Sequence, residues 1–366
     1  MDIIGLQRYN FFFIWQNNFS SVNQRITLCD HSVRPAASGN GVGIAVNVVA
    51  HGGESFKIFT WMIRNINTGS FRTAGSGEDQ TRTTMKEIKD YVTGGERPFF
   101  AEHDLLLDNV TVLAGESALK ECRDIRAVNC RFEGKYPFWH VDRFYIEKCL
   151  FTEGARAALW YCRDLKMKDT EVDAPKMFRE MDRMALERVN IPNALETMWH
   201  CRDIRIRDVV VDHADYIFMH CDNIDIDRYR QNGNYSFQYC RDVTVDHAEI
   251  NSRDAFWMTE NVTVRNSRLN GEYLGWHSKN LHLINCHISG TQPLCYCDNL
   301  IMENCTMDAD CDLAFEESVL HADIRSAITS VKNPTSGVIK AESIGEIILD
   351  KNIKAPADCK IETIRK

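Results

Sequence analysis

Apolar residues recur along most of the chain with a period of 19 to 21 residues, each just after a polar pair such as Arg-Asp. A fixed period of this length is typical of repeat architectures in which every repeat forms one structural unit. We call these residues the anchor column: Leu105, Ile125, Phe144, Leu165, Met184, Ile204, Ile224, Val243, Val262, Leu281, Leu300 and Val319.

Within each repeat the apolar residues alternate with polar ones, which indicates strands. Ile204, for example, is followed by Ile206, Val209 and Val211. The unit is too short for a strand plus a helix, and the Leu-x-x-Leu-x-Leu phrase of leucine-rich repeats is missing. The pattern therefore predicts an all-β, right-handed parallel β-helix of about twelve coils over residues 86–325, stacked about 4.8 Å apart.

Three positions just before each anchor carry most of the aromatic residues. The inner column, six residues before the anchor, contains Leu119, Phe138, Leu159, Phe178, Met198, Phe218, Phe237, Phe256, Gly275 and Leu294. The tryptophan column, five before, contains Lys120, Trp139, Trp160, Arg179, Trp199, Met219, Gln238, Trp257, Trp276 and Cys295. The histidine column, four before, contains Glu121, His140, Tyr161, Glu180, His200, His220, Tyr239, Met258, His277 and Tyr296.

The composition of each column predicts which way it points. The inner column is apolar and should face the core, whereas the Lys, Arg and Gln of the tryptophan column favour an outward direction. Strict alternation would then turn the histidine column inward, where unpaired Glu and His are costly. We therefore expect the chain to bend here and expose the column; an inward ladder of hydrogen-bonded side chains is the alternative.

The remaining composition narrows the class of protein. A net charge of −9 argues against nucleic acid or an anionic membrane as the main partner. No apolar run approaches the roughly 20 residues that a transmembrane helix needs. The short run of apolar residues at 11–15 lacks the features of a signal peptide, so we expect a cytoplasmic protein.

Fourteen cysteines fit the same repeat instead of a disulfide framework. A small apolar side chain suits a narrow core, and free thiols suit a reducing compartment. Ten of the fourteen fall on two register positions, in the groups Cys122, Cys162, Cys201, Cys221, Cys240, Cys297 and Cys130, Cys149, Cys286, Cys305.

The ends of the chain depart from the repeat. Residues 1–84 show no period and carry a net charge of +2 (7 Lys+Arg, 5 Asp+Glu), against −11 for the rest. We expect a loosely attached leader whose deletion hardly changes the unfolding midpoint; a small capping domain is the alternative. After residue 325 the segment 326–366 leaves the period but alternates like strands, which predicts a β-rich C-terminal cap.

Several phrases, in this order, resemble a bacterial family of domains of unknown function in the pectin-lyase-like right-handed β-helix class. They are GERPFFAEHDLLLDNV, GESALKECRDI, KYPFWH, RAALWYCRDL, APKMFRE, NYSFQYCRDV, DAFWMTENVTV and GEYLGWHSKNL. The likeness covers about residues 85–350. It implies the β-helix fold and no activity, because the family has no established one.

If both columns face out, one side of the solenoid becomes a polar-aromatic surface that suits a saccharide. The expected ligand-binding residues are Trp139, Trp160, Tyr161, Arg179, Glu180, Trp199, His200, His220, Trp257, Trp276 and His277. The rival hypothesis is a non-catalytic structural or interaction solenoid, in which the same side chains form ladders or a homo-oligomer interface.

The candidates for catalysis lie on neighbouring coils of this surface. Glu121 beside His140 is a possible acid–base pair, and Lys120 a possible lyase base. Glu121 and Glu180 are three coils, roughly 14 Å, apart, too far for a glycosidase pair. An enzyme would be a carbohydrate lyase or hydrolase, although the motifs of known β-helix enzymes are absent. We expect no metal and no cofactor, since one column of His and Glu rarely gives tetrahedral coordination.

Overall fold

The computed structural model describes residues 44–49, 55–60, 85–351, 353 and 358–364. The chain divides into two units, Met1–Gln80 and Thr81–Lys366. In the first, strands Ile44–Val49 and Ser55–Thr60 pair antiparallel. The rest of the predicted leader lies outside the described residues. Within the described part of the chain, no helix is long and apolar enough to cross a membrane.

The second unit is a right-handed parallel β-helix, as the period predicts, but it has about fourteen turns instead of the expected twelve. Besides one short 3-10 helix at Glu153–Ala155, its elements are strands. They span Lys86–Glu96, His103–Glu116, Leu119–Lys120, Arg123–Val128, Arg131–Phe132, Phe138–Trp139, Asp142–Glu147, Leu150–Phe151, Arg163–Val172, Asp182–Ile191, Arg202–Val211, Asp222–Asn232, Arg241–Asn251, Glu260–Arg265, Arg268–Asn270, Lys279–Ile284, His287–Ser289, Leu300–Met307, Val319–Ile324, Ala327–Lys332, Ser336–Ala341, Ser343–Ile348 and Asp358–Thr363.

The anchor column runs in register from coil to coil, from Leu105 opposite Ile125 to Val262 opposite Leu281. One predicted member is wrong: Leu300 pairs with Leu320, not Val319. Leu320 is fully buried, whereas Val319 is 36% exposed. The coil before it is one residue longer than the four coils that precede it, and a shift by one residue moves a side chain to the other face of a strand.

Each coil turns at residues with a left-handed backbone. The residue just before the anchor has a φ near +55°, as at Asp124 (54°) and Asn261 (58°), and so does the residue four after it, as at Asn129 (54°). Asn and Asp tolerate this conformation better than other residues with a side chain. The polar pairs of the repeat are therefore corners, as predicted, and they divide the coil into short straight sides.

The interior is filled by the anchor column, the inner column and the cysteines. Every residue of the inner column is buried, as expected. Of the thirteen described cysteines, none forms a disulfide and all except Cys359 are buried. Their thiols donate to backbone carbonyls of the preceding coil, as Cys221 Sγ does to Met198 O at 2.9 Å. Burial raises the pKa of Cys162 to about 12, which keeps this thiol protonated.

The outer surface carries a column of alternating charge two residues before the anchor, which helps to fix the stacking register. The hydrogen bonds of the polar corners likewise run between coils: Arg143 donates two bonds of 2.7 Å to Asp124. The alternating column contains Arg123, Asp142, Arg163, Asp182, Arg202, Asp222, Arg241, Glu260, Lys279 and Asp298.

The segment after residue 325 is β-rich, and its strands continue the parallel stacking. Val319–Ile324 pairs with Ser336–Ala341, which pairs with Asp358–Thr363. Ala327–Lys332 pairs with Ser343–Ile348. The strands Val319–Ile324, Ser336–Ala341 and Asp358–Thr363 begin 17 and 22 residues apart, instead of 19 to 21. The changed step explains why the repeat is invisible in this part of the sequence.

Candidate functional site

The histidine column lies at a third corner of each coil and faces solvent. All ten members have a left-handed backbone, with φ between 52° and 62°. Nine are exposed and Tyr296 is half-buried. The left-handed residue interrupts the in–out alternation, so the chain bends as predicted and the inward alternative is wrong.

The corner is held by a repeated backbone hydrogen bond. In each coil the histidine-column N–H donates to the tryptophan-column carbonyl of the next coil, at 2.9 Å from Glu121 to Trp139 and at 3.0 Å from His140 to Trp160. The same bond joins His200 to Met219 at 2.9 Å. The backbone therefore fixes where each of these side chains leaves the surface.

The tryptophan column lies beside the histidine column and is mostly half-buried. Gln238 and Cys295 are buried, at 4% and 1% exposure, so the expectation that the whole column faces out is wrong at these two residues. We call the histidine column and the half-buried members of the tryptophan column the aromatic face. It contains all the residues that the sequence singles out for ligand binding or catalysis.

A stacked cluster occupies the N-terminal half of the aromatic face. Trp139 and Trp160 lie 5.2 Å apart between ring centroids, and His140 stacks on Tyr161 at 5.1 Å. Trp160 donates its indole N–H to the carbonyl of Lys176 at 2.7 Å, and Trp199 donates to that of Tyr216 at 2.6 Å. The indoles are thus held in place by the backbone of the following coil.

Arg179 lies between two indoles of this cluster. Its guanidinium carbon is 5.0 Å from the Trp160 centroid and 4.0 Å from that of Trp199, which are cation–π distances. It also donates to a carboxylate oxygen of Glu196 at 2.9 Å. Burial is the main cause that lowers the pKa of Arg179, and Glu196 opposes this shift.

The middle of the aromatic face is a ladder of imidazole and phenol rings. His200 and His220 stack at 5.1 Å with 4° between their planes, and His220 stacks on Tyr239 at 4.7 Å and 7°. Partial burial lowers the pKa of His220 below its usual range, and the neighbouring charge of His200 adds to this effect. The neutral ring, with one donor and one acceptor nitrogen, is therefore favoured.

A third cluster lies nearer the C-terminus. Trp276 contacts Tyr273 edge-on at 4.4 Å and lies 5.7 Å from Tyr296, which stacks on His277 at 5.0 Å. Trp257 approaches Tyr239 at 6.5 Å and connects this end of the face to the middle ladder. Rings thus follow the face over most of the solenoid.

The predicted catalytic residues lie at the N-terminal end of the face. Lys120 pairs in register with Trp139, which places Glu121 and His140 in adjacent coils. Both side chains are exposed. No hydrogen bond or ion pair joins these two described side chains, so the acid–base pair is near but not formed in this structure. Glu180 lies three coils from Glu121, as expected from the stacking.

A further column, eight residues before the anchor, borders the aromatic face and was not singled out from the sequence. Tyr136 contacts Trp139 edge-on at 5.0 Å, and Tyr216 stacks on Tyr235 at 4.8 Å. Glu196, the partner of Arg179, belongs to the same column. The recurrence of Tyr at this position was a usable signal, but residues such as Ala157 and Lys176 in the same column obscure it.

Two solved structures resemble the chain in fold. The A-module of mannuronan C-5 epimerase AlgE4 from Azotobacter vinelandii is 10% identical with a TM-score of 0.27, covering 77% of this chain and 90% of that one. The A-module of AlgE6 from the same organism is 11% identical with a TM-score of 0.24, covering 75% and 79%. Values this low carry no information about activity.

Sequence comparison places the chain more firmly. No curated protein sequence matches it. A family model described as protein of unknown function (DUF3737) matches residues 86–362, which is the β-helix together with its last turns. The match covers most of the chain and supports the resemblance seen in the sequence phrases. The chain belongs to the DUF3737 family.

Proposed function

We propose that the aromatic face binds an extended saccharide that lies along the solenoid axis. The observation that carries this proposal is the unbroken outward direction of the histidine column, which presents His, Tyr and Glu side chains in successive coils. Contiguous exposed aromatic patches often mark sites that bind another molecule. The coil spacing of about 4.8 Å repeats the same kinds of group along the axis, which suits a polymer of repeated units.

The chemistry of the face supports a hydroxyl-rich ligand. Because the rings stack on one another, their edges face outward, and these edges carry imidazole nitrogens and phenol hydroxyls that donate and accept hydrogen bonds. The half-buried indoles beside them add apolar surface. The ladder of stacked rings is interrupted where Glu180 follows Tyr161 and where Met258 follows Tyr239 in the next coil.

Binding is tested with a glycan array and with thermal shift on the full chain. We expect at least one oligosaccharide class to raise the unfolding midpoint. Tyr161→Ala, on the face, should abolish the shift. Tyr145→Ala is the matched control, because Tyr145 lies one residue after an anchor and stacks under Arg126 on another side of the coil. If no saccharide changes the midpoint, or if both variants lose it equally, the proposal is wrong.

Catalysis would require the N-terminal end of the face. If a bound glycan is cleaved, we expect Glu121→Gln and His140→Ala to lower turnover while leaving the thermal shift in place, because an acid–base pair acts on the bond and not on binding. If Lys120 is the base of a lyase reaction, Lys120→Ala should also lower turnover. Unchanged turnover in all three variants would exclude this part of the face.

A structural or interaction role is the second candidate, and one observation favours it. The indole N–H groups of Trp160 and Trp199 are satisfied by backbone carbonyls, and the rings cover one another. Ladders of this kind stabilise the stacking of coils by themselves. If saccharides leave the midpoint unchanged and Trp139→Ala with Trp199→Ala alters only oligomer size, this candidate replaces the first.

A further inference from the structure

The two ends of the solenoid each carry a strand that is paired on one side only, among the described residues. At the N-terminal end, Lys86–Glu96 pairs only with His103–Glu116. At the C-terminal end, Asp358–Thr363 pairs only with Ser336–Ala341. Unpaired strand edges offer a row of N–H and C=O groups to another strand, and proteins usually cover or disrupt such edges.

Apolar side chains are exposed at both ends. Tyr91 and Val92 in the first strand are 48% and 61% exposed, and Ile364 just after the last strand is 69% exposed. Ile88 and Ile361 pack only partly against the core. In the next coil, Leu107 and Val110, which pair with Ile88 and Tyr91, are buried. Among the residues that the structure describes, both end strands therefore lack a second neighbour.

We propose that the chain assembles end to end, with the last strand of one copy pairing in parallel with the first strand of the next. One register gives three neighbouring residues of the last strand complementary partners. It places Ile361 opposite Ile88, Lys360 opposite Glu87 and Glu362 opposite Lys89. It also brings the exposed Ile364 opposite the exposed Tyr91.

The in–out alternation of the strands leaves few other registers. An inward Ile361 must lie opposite an inward position, which in the first strand means 86, 88, 91 or 93, the residues that pair with the buried Leu105, Leu107, Val110 and Val112. Opposite residue 91 or 93, Glu362 would have no charged partner and would meet Val92 or Gly94; opposite residue 86, it would meet Glu87. Like charges directly across a strand pair are destabilising. Only the register with Ile88 places Ile361 opposite an aliphatic residue and both Lys360 and Glu362 opposite residues of opposite charge.

The contact also continues two columns that already run through each end. On the outside, Lys340 pairs with Glu362 at 3.7 Å and Lys89 pairs with Asp108 at 2.9 Å. Joining the ends gives Lys340, Glu362, Lys89 and Asp108, an alternating order like that of the charged column in the coils between. On the inside, Ile339, Ile361, Ile88 and Leu107 form one apolar column.

A contact between the head of one copy and the tail of the next does not close on itself. It produces an open filament whose length grows with concentration. The outward Lys–Glu pairs are exposed, so salt should weaken the assembly. Analytical ultracentrifugation and light scattering of the full chain, over a concentration series at low and high salt, measure both effects.

Two charge reversals and their mixture test the register. Glu87→Lys places a lysine opposite Lys360, and Lys360→Glu places a glutamate opposite Glu87, so each variant alone should associate roughly tenfold more weakly than the unmodified chain. When the two variants are mixed in equal amounts, every contact between a head of one variant and a tail of the other again joins a lysine to a glutamate. The mixture should therefore recover assembly.

Glu171→Lys is the control, since Glu171 is exposed in mid-solenoid and lies opposite Leu150 and Asn190.

The outcomes separate this contact from its rivals. Two heads joined in antiparallel fashion would respond to Glu87→Lys alone, two tails would respond to Lys360→Glu alone, and neither would recover on mixing. Association through the aromatic face would be weakened by Tyr161→Ala and by neither charge reversal. Any of these results, or an unmodified chain that stays monomeric up to its solubility limit, overturns the proposal. Equal unfolding midpoints confirm that the variants fold.

Discussion

The same coils carry two ring ladders, one inside the solenoid and one outside. Inside, Phe218 and Phe237 stack at 4.7 Å with 9° between their planes. Outside, His220 and Tyr239 stack at 4.7 Å with 7° between theirs. Only one residue separates the inner and outer members of each coil, so backbone stacking imposes one geometry on both ladders.

Their surroundings nevertheless give the two ladders different roles. Phe237 is fully buried, whereas Tyr239 is 39% exposed. Removing apolar surface from water stabilises the fold in proportion to the area buried, so the inner ladder contributes most to stability. The outer ladder gains less from burial, and its ring edges remain free for a ligand. Stacking geometry therefore does not by itself distinguish a structural ladder from a binding surface.

The largest expected effect comes from truncating the inner ladder. Phe237→Ala should lower the free energy of unfolding by about 3–5 kcal/mol, because it leaves a cavity between Phe218 and Phe256. Tyr239→Ala in the same coil should cost about 1 kcal/mol or less. Chemical denaturation of both variants measures the difference. Equal losses would mean that the outer ladder is as important to the fold as the core.

A smaller contrast is expected among the charged residues of the outer surface. Asp182 accepts hydrogen bonds from Arg183 and Arg202, at 2.6 and 2.8 Å, and its side chain is only 13% exposed. Asp182→Asn should lower the free energy of unfolding by about 1–3 kcal/mol. Asp124→Asn, at the 35% exposed partner of Arg143, should cost about 1 kcal/mol or less.

The effect of Asp182 should depend on pH. The bond from Arg202 is the main cause that lowers the pKa of Asp182 in the folded chain. Its contribution is therefore complete above the unfolded pKa of about 3.9 and is lost as the pH falls through the lower folded value. Denaturation at several pH values measures the free energy of unfolding of both proteins. The difference between the unmodified chain and Asp182→Asn should disappear below about pH 4. A difference that persists there would point to packing instead of charge.

The smallest effect concerns the titration of the outer ladder. His220 should titrate below the usual histidine value of about 6.5, because burial and the charge of His200 both disfavour its protonated form. Acidification below that value should therefore weaken the folded state slightly, since the unfolded chain binds the proton first. In NMR titrations, His200→Ala should raise the pKa of His220. An unchanged value would show that the stacked pair is not electrostatically coupled.

Much of this architecture could be predicted from the residues. The period, the inner column and the cysteine positions predict the β-helix, because side chains that stack in register must be alike in size and polarity. The bend at the histidine column was also predictable, since burying a row of Glu and His is costly. After residue 325 the step between strands changes to 17 and 22 residues. The strands still stack there, but the sequence shows no repeat from which the stacking could be predicted.

The sequence by itself determined the fold, its register as far as Leu300 and the exposure of the histidine column, because alternation and period fix which side chains share a column. Only the tertiary structure decided what each column contacts. It placed Arg179 between two indoles with Glu196 as its partner, buried Gln238 and Cys295, and left the Glu121–His140 pair unformed. These outcomes depend on how side chains from adjacent coils pack against one another, which the repeat in one dimension does not specify.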